Sequence, residues 1–398
     1  MEKEKLLNIG VIGMGNCGGQ MALAASKEGF DIVAMNAATK DLALLPDNIA
    51  KFCVGDGNGT GKSRENAKMF MAERLNVLMD DSMVKFFDEH DVVVIATSTS
   101  GGFGSGSSLE AYEPLVEMYP EKLFIVAGVL PFDSEALVPH THAIQWLQEL
   151  DKMDATYMLY DNGRFPDRNP EEVCRLVNEE FAKDLCVLRG DYIDETRTGG
   201  IDNRDMITAI SPVGRIVIGH MELDESDIVD DSLAKTIAAH IKNTSFHADL
   251  LDDKEIRATA VMYTLHENFA PYTVNLKKGM NDTFGTPVAD YDNFANVGDD
   301  ATEKDSITVI LSGLNSPVLR INKLVAIAEA QAKEHGTSKK TVSRLGSVNL
   351  SSVASLNAKE LTSGTAAPVR KTPDRAAILR KHAAKVAVNK PVTPPETK

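Results

Sequence analysis

The chain has 398 residues, 43% hydrophobic and 25% charged, with a net charge of −16. At roughly 100–200 residues per domain this implies two or three globular domains that bury a core without metal or disulfide staples. Four cysteines form no CxxC pair and no zinc spacing, which fits a reducing cytoplasm, and no run of 18 apolar residues offers a membrane span. The N-terminus MEKEKLLNIGVIG carries acidic residues and enters a strand at once, unlike a signal peptide. From there the chain alternates strand and helix patterns. Apolar runs at Leu7–Ile12, Asp31–Met35, Val92–Ala96, Leu123–Val126 and Thr156–Leu159 predict buried parallel strands, and Arg64–Leu78, Leu109–Met118 and Ser134–Leu150 predict helices between them. This is a doubly wound α/β domain over residues 1–168. Asn169 then reads as an N-cap with Pro170 at the first helical position, opening a central helix over 169–195.

After a Gly/Asp-rich loop at 196–205, a second α/β domain is expected over 196–318. Its strands are Gly214–Met221, Ala258–Leu265 and Ser306–Leu311, and its helix is Ser232–Ile241. A helix from Leu319 opens a C-terminal helical segment, 319–362. Residues 363–398 turn to Pro, Lys, Ala and Thr and predict a disordered basic tail, with a transient basic helix over Asp374–Val388. Charge is polarised along this order. Residues 331–398 hold 13 Lys/Arg against 4 Asp/Glu, and the remainder holds 29 basic against 54 acidic residues. The acidic body argues against a protein that coats nucleic acid, and the tail is the segment that could dock on DNA or an acidic partner.

Glycine loops carry the chemistry. Gly13-x-Gly15-x-x-Gly18 follows the first strand and opens a helix, the dinucleotide fingerprint. A dehydrogenase would place an acid at the end of the second strand, but that strand ends in Asn36, with Asp41 several residues on. The loop 55–63, GDGNGTGKS, misses the Walker A register because Asp56 stands where glycine is required, and no strand of decent length is expected before it. Strand Val92–Ala96 leads into a third loop with Gly101, Gly102, Gly104 and Gly106. Two phosphate-cradling loops at the carboxyl ends of strands in one parallel sheet point to a nucleoside polyphosphate across the topological switch point.

Together these loops resemble the tubulin/FtsZ family of GTPases. Gly15-Asn16-Cys17-Gly18-Gly19-Gln20 resembles the family's GQCGNQ loop. Ser100 to Gly106 resembles GGGTGTG, departing at Ser100 and Phe103, with Ser105 standing in for the second threonine. Asn36 to Leu42 resembles NTDAQAL, and Gly57, Gly59 and Gly61 occupy the flexible third phosphate loop. Pro131 to Ala136 resembles the ribose loop, mapping its Glu onto Glu135, while Pro139 replaces the family arginine. Leu159 to Asn162 resembles the segment whose Asn contacts guanine. The acidic loop NxDxxD becomes Gly200-Ile201-Asp202-Asn203-Arg204-Asp205. The resemblance spans about residues 7–320 and is nearest the TubZ-type tubulins that segregate plasmid and phage DNA.

The resemblance implies GTP/GDP as ligand with Mg²⁺. Backbone N–H groups of the glycine loops would hold phosphates, and Gln20, Glu135 and Asn162 would contact ribose and base. Asp202 and Asp205 would activate water on the nucleotide of the next subunit in a head-to-tail filament. The basic tail, 366–398, would engage DNA or a DNA-bound adaptor. Two other readings stand beside it: a Rossmann-type NAD(P) oxidoreductase built on Gly13–Gly18, and a non-hydrolysing filament scaffold. Smaller features weigh less. His140-x-His142 reads as a surface turn after Pro139, Trp146 as core, and Cys17 as a packing residue with no histidine partner.

Overall fold

The computed structural model describes residues 5–192, 201–224, 233–249, 256–266, 276–297, 305–334 and 374–388. Its frame is a parallel sheet whose strands read as apolar runs because both faces are covered. In the first half the order is β1 (Ile9–Met14), α1 (Gly15–Lys27), β2 (Asp31–Ala38), α2 (Thr39–Leu42), β3 (Ala50–Gly57), α3 (Arg64–Glu73), a 3₁₀ turn at Leu75–Met79, α4 (Asp81–Glu89), β4 (Val92–Ser98), α5 (Phe103–Met118), β5 (Leu123–Leu130), α6 (Leu137–Leu150) and β6 (Thr156–Asp161). The strands lie side by side as β3-β2-β1-β4-β5-β6, all parallel. The order reverses between β1 and β4, which leaves a crevice at their carboxyl ends.

Alternation along single strands divides the core between the two faces. On β4, Val93 and Ile95 join the cluster with α3, α5 and α6, while Val92, Val94 and Ala96 join the opposite cluster. That second layer is α1 and the central helix α7 (Pro170–Arg189), which starts from the Asn169 cap and ends on Gly190 in the left-handed conformation. The short α8 (Asn203–Ile210) follows. The sheet then continues through β7 (Gly214–Glu222), which pairs with β6 at three residues, and through β10 (Ser306–Leu314), β8 (Ala258–His266) and β9 (Ala289–Val297). α9 (Leu233–Thr244) and α10 (Leu276–Phe284) belong to this second half, and α9 contributes to a separate apolar cluster. α11 (Val318–Glu334) packs against α6, and α12 (Arg375–Val388) packs against α5.

Several expectations are corrected. A strand of eight residues, β3, does lead into the 55–63 loop and takes in its first three residues. It is the sheet's edge strand and only Val54 is fully buried, so it lacks an apolar run. α5 begins at Phe103 rather than Leu109, so the third glycine loop is largely the first turns of a helix. His140 and His142 are not in a surface turn: both are buried on α6, where Pro139 falls in the first turn and is tolerated. Within the expected disordered tail, Arg375–Val388 form a docked helix, because an apolar stripe hidden among the charges finds a surface to cover. Gly200, residues 335–362 and the tail outside 374–388 lie outside the described residues.

Candidate nucleotide-binding site

The parallel register brings the carboxyl ends of β1, β2, β4, β5 and β6 to one edge. There lie Gly15 to Gln20 after β1, Asn36 on β2, Ser100 to Gly106 after β4, Glu135 after β5 and Asn162 after β6. α1 and α5 both start at this edge without a side-chain cap, so their first-turn N–H groups have no intrahelical partner and are suited to an anion. The two helix starts touch: a Cβ on Gly15 (φ +75°) would sit 3.1 Å from the Gly104 nitrogen.

Each glycine answers to a different neighbour. A Cβ on Gly18 would come 2.1 Å from the Ala96 carbonyl oxygen, one on Gly104 2.7 Å from that of Met14, and one on Gly106 2.5 Å from that of Arg64. One on Gly102 would meet Thr60 Oγ1 at 2.4 Å and the Lys62 Cα at 2.8 Å, so the third loop lies over the second. Gly19 and Gly101 have only ordinary contacts, with Leu45 and Ser98, and Gly61 has none within 4 Å. Gly61 thus faces open space, and Gly19 and Gly101 have ordinary van der Waals room. Phe103 sends its ring into the core, leaving only its backbone for a ligand. The Ser105 hydroxyl donates to the Gly101 carbonyl in its own loop. Cys17 is half-buried, and burial pushes its thiol up to about 12, so it is an inert packing residue at neutral pH.

Asn36 donates from Nδ2 to Asp41 at 3.1 Å and accepts from the Ala38 N–H at 3.2 Å, shaping the turn after β2. Glu135 accepts from the Phe132 N–H at 3.0 Å, and burial pushes its carboxyl up despite that bond and the charges of His140 and Lys62. Asn162 Oδ1 is buried without a partner, an acceptor that a ligand's donor would satisfy. Between α1 and α7 lies a groove of about 470 Å³ lined by Gln20, Leu23, Lys27, Pro170, Cys174 and Arg175, among others. Among the described residues the carboxylates along this edge already accept hydrogen bonds, Asp41 from Asn36, Asp56 from Asn58 and Glu135 from Phe132, and no step is assigned to a metal held by them.

Two supporting arginines escaped sequence reading, and a third residue, His142, was read only as part of a surface turn. Arg64, buried at the start of α3, donates to the Ser105 carbonyl at 2.9 Å and pairs with Glu149 at 2.6 Å. His142 places Nδ1 3.2 Å from the Ser100 carbonyl. Arg320 on α11 pairs with Asp133 at 2.5 Å and Asp161 at 2.8 Å and donates to the Pro131 carbonyl at 2.8 Å, bracing the loops that carry Glu135 and Asn162. Only the rarity of a buried arginine could have signalled Arg64 and Arg320, and burial is not written in sequence.

Asp202 and Asp205 stand elsewhere. They form a reciprocal capping box at the start of α8: Asp202 Oδ1 accepts from the Asp205 N–H at 2.9 Å, and Asp205 Oδ2 from the Asp202 N–H at 3.2 Å. Asn203 between them donates to the Leu6 carbonyl at 2.7 Å, ahead of β1. The glycine loop leaves β1 at its other end, six residues on, about 20 Å away at the rise of an extended strand.

Residues 8–168 match the family described as Tubulin/FtsZ family, GTPase domain. Residues 8–168 are a tubulin/FtsZ-family GTPase domain. GTP hydrolysis is general to this family, and its GTPase domain implies GTP/GDP binding here. That sets aside the NAD(P) oxidoreductase. The tubulin-like protein CetZ of Pyrococcus furiosus is 25% identical over 251 residues, 60% of this chain and 68% of CetZ. The tubulin-like protein TubZ of Clostridium botulinum C phage is 25% identical over 219 residues, 53% of this chain and 58% of TubZ. The fold is shared with the crystal structure of phage c-st TubZ (TM-score 0.65, 18% identity, 82% of this chain and 99% of that one). It is also shared with the GTPγS-bound protofilament of CetZ2 from Haloferax volcanii (TM-score 0.67, 20% identity, 83% and 100%). No helix among the described residues is long and apolar enough to cross a membrane.

Proposed function

We propose that this protein binds GTP at the carboxyl edge of its sheet and assembles head-to-tail, each copy bringing Asp202 and Asp205 to the nucleotide of its neighbour. The observation that carries this is the placement of the two sites at opposite ends of β1. A carboxylate pair about 20 Å from its own phosphates acts only on another copy's, and a contact between opposite ends propagates without closing. The capping box commits one oxygen of each carboxylate to the backbone. The second oxygen of each can accept a proton from, or orient, an attacking water. Gly15 to Gln20 and Gly101 to Gly106 supply phosphate donors, Glu135 holds ribose and Asn162 reads the base. The protofilaments formed by CetZ2 and by a TubZ of Bacillus thuringiensis support self-association.

The test is complementation. Asp202→Ala should bind GTP and assemble but release no phosphate; Gly101→Val should bind no nucleotide. Mixed, the two should recover phosphate release, because the second variant's carboxylates complete the first variant's site. A mixture as silent as its parts would refute the shared site, and wild-type protein that assembles with no phosphate release would favour a scaffold. The finer role we infer is segregation of plasmid or phage DNA, through the cationic tail 366–398 and DNA or a DNA-bound adaptor. Its eight Lys/Arg against two acids and a phage-encoded relative support it.

A further inference from the structure

α12 lies within the tail, yet it is not free. Its residues Arg375, Ile378, Leu379, His382 and Ala383 are partly or fully buried, while Ala376, Ala377, Arg380, Lys381 and Ala384 are exposed. The buried set recurs at i, i+3, i+4, i+7 and i+8, one stripe of a helix. Leu379 enters the core cluster that holds Tyr112, Leu115, Met118 and Tyr119, and Ile378 and Ala383 pack against it. Polar contacts frame this seam. The Arg375 guanidinium lies 3.8 Å from the centre of the Tyr119 ring, and its Nε donates to the Met118 carbonyl at the end of α5. That is where a helix presents unpaired carbonyls and favours a cation. Lys381 Nζ reaches Glu117 at 2.9 Å, and His382 lies 3.1 Å from Glu117 and 3.5 Å from Glu113. A helix of 14 residues is marginal alone in water, so the surface beneath it is what keeps it folded.

We propose that the outer face of α5 is an acidic receptor for α12, and that docking there withholds Arg375, Lys381 and His382 from polyanionic partners. The same side chains cannot serve the α5 surface and a phosphate backbone at once, so a polyanion and the receptor compete for one helix. The masking half rests on the tail's proposed role in DNA coupling; the docking half does not.

Two measurements on the full-length protein separate the halves. In hydrogen exchange, amides of residues 377–384 should be protected in the wild type and exchange at least about tenfold faster in E113Q/E117Q and in Leu379→Asp, because an undocked helix this short melts. Reversing one ion pair, in E117K/K381E, should restore protection lost in E117K. Unchanged exchange in both releasing variants would overturn the receptor. In fluorescence anisotropy with a short DNA duplex at low salt, E113Q/E117Q should bind about tenfold tighter than the wild type, as Arg375 and Lys381 become available to phosphates. Equal, measurable affinities alongside faster exchange would overturn the masking. If neither protein binds the duplex, or a chain lacking 366–398 binds it as well as the wild type, the DNA reading of the tail falls and masking with it, while the exchange result still decides the receptor.

Discussion

Gly18, Gly104 and Gly106, in loops 15–19 and 101–106, and the glycines of loop 57–61 face the same edge under opposite constraints. In the first pair of loops, Gly18, Gly104 and Gly106 are pressed against backbone carbonyls of β4, β1 and α3, with no positive φ, so their requirement is space. In the third loop, Gly57, Gly59 and Gly61 have φ of +85°, +87° and +61° and no added Cβ closer than 3.2 Å to a neighbour, so their requirement is conformation. One pattern of residues therefore hides two roles. Packed glycines hold helix starts against the sheet so that their N–H groups converge, and conformational glycines shape a cover over that floor.

The largest effect should come from breaking the floor. Gly104→Val drives a branched side chain toward the Met14 carbonyl and Thr97 Oγ1. Overpacking of this kind costs about 3 kcal/mol or more, so the urea midpoint should fall and nucleotide binding with it. Gly101→Val separates binding from folding. Its Cβ meets only Ser98 at 3.8 Å, so the midpoint should hold while GTP affinity falls at least about tenfold, 1.4 kcal/mol. A loss of stability matching that of Gly104→Val would show that position 101 belongs to the floor.

A smaller effect concerns what fastens the floor. Arg64 ties α3 to the Ser105 carbonyl of α5, and Glu149 neutralises it. Burial pushes the Glu149 carboxyl up, but Arg64 and Lys68 outweigh burial and hold it below its ordinary value. A carboxyl lowered in the folded state contributes stability above its unfolded value of 4.5, lost as pH falls through the folded value. Glu149→Gln should cost about 2 kcal/mol at pH 7 by leaving Arg64 poorly compensated, and should flatten the urea midpoint's decline below pH 4.5. A variant that declines as steeply as the wild type would exclude Glu149 as a source of acid sensitivity.

How much of this was legible follows from where each signal lives. The parallel sheet showed in runs such as Val92–Ala96 because strands covered on both faces lose their alternation. The glycine-lined edge showed because glycines mark the junctions where buried parallel strands pass into helices. β3 stayed hidden because an edge strand with one fully buried side chain has no apolar run. β9 and α10 escaped as well, and α12 was expected only as a transient helix because cations spaced between its anchors obscured its docking stripe. Sequence reading also gave the glycines one reason, ligand approach, where Gly18 and Gly106 answer to protein backbone. Which neighbour lies 2.5 Å from an absent Cβ is a property of tertiary packing.

The cover offers the finest test. Lys62 follows Gly61, also sits at φ +61°, and is the only non-glycine residue with positive φ among the described residues. A lysine there costs roughly 1 kcal/mol that asparagine, which tolerates the left-handed region, largely avoids. Its backbone lies over Gly102, and its charge acts on Glu135. A strained cation kept over an anion site suggests that the charge matters more than the strain. Lys62→Asn should therefore raise stability by a few tenths to about 1 kcal/mol. It should also weaken GTP binding by about 1 kcal/mol, roughly fivefold in Kd. Lys62→Arg separates the two terms, since it keeps both charge and strain and should match the wild type in each measurement. Asparagine that stabilises without weakening binding would reduce Lys62 to a conformational accident of the cover. Asparagine that weakens binding without stabilising would mean that the left-handed turn costs nothing there, and the contrast between packed floor and strained cover would rest on the glycines alone.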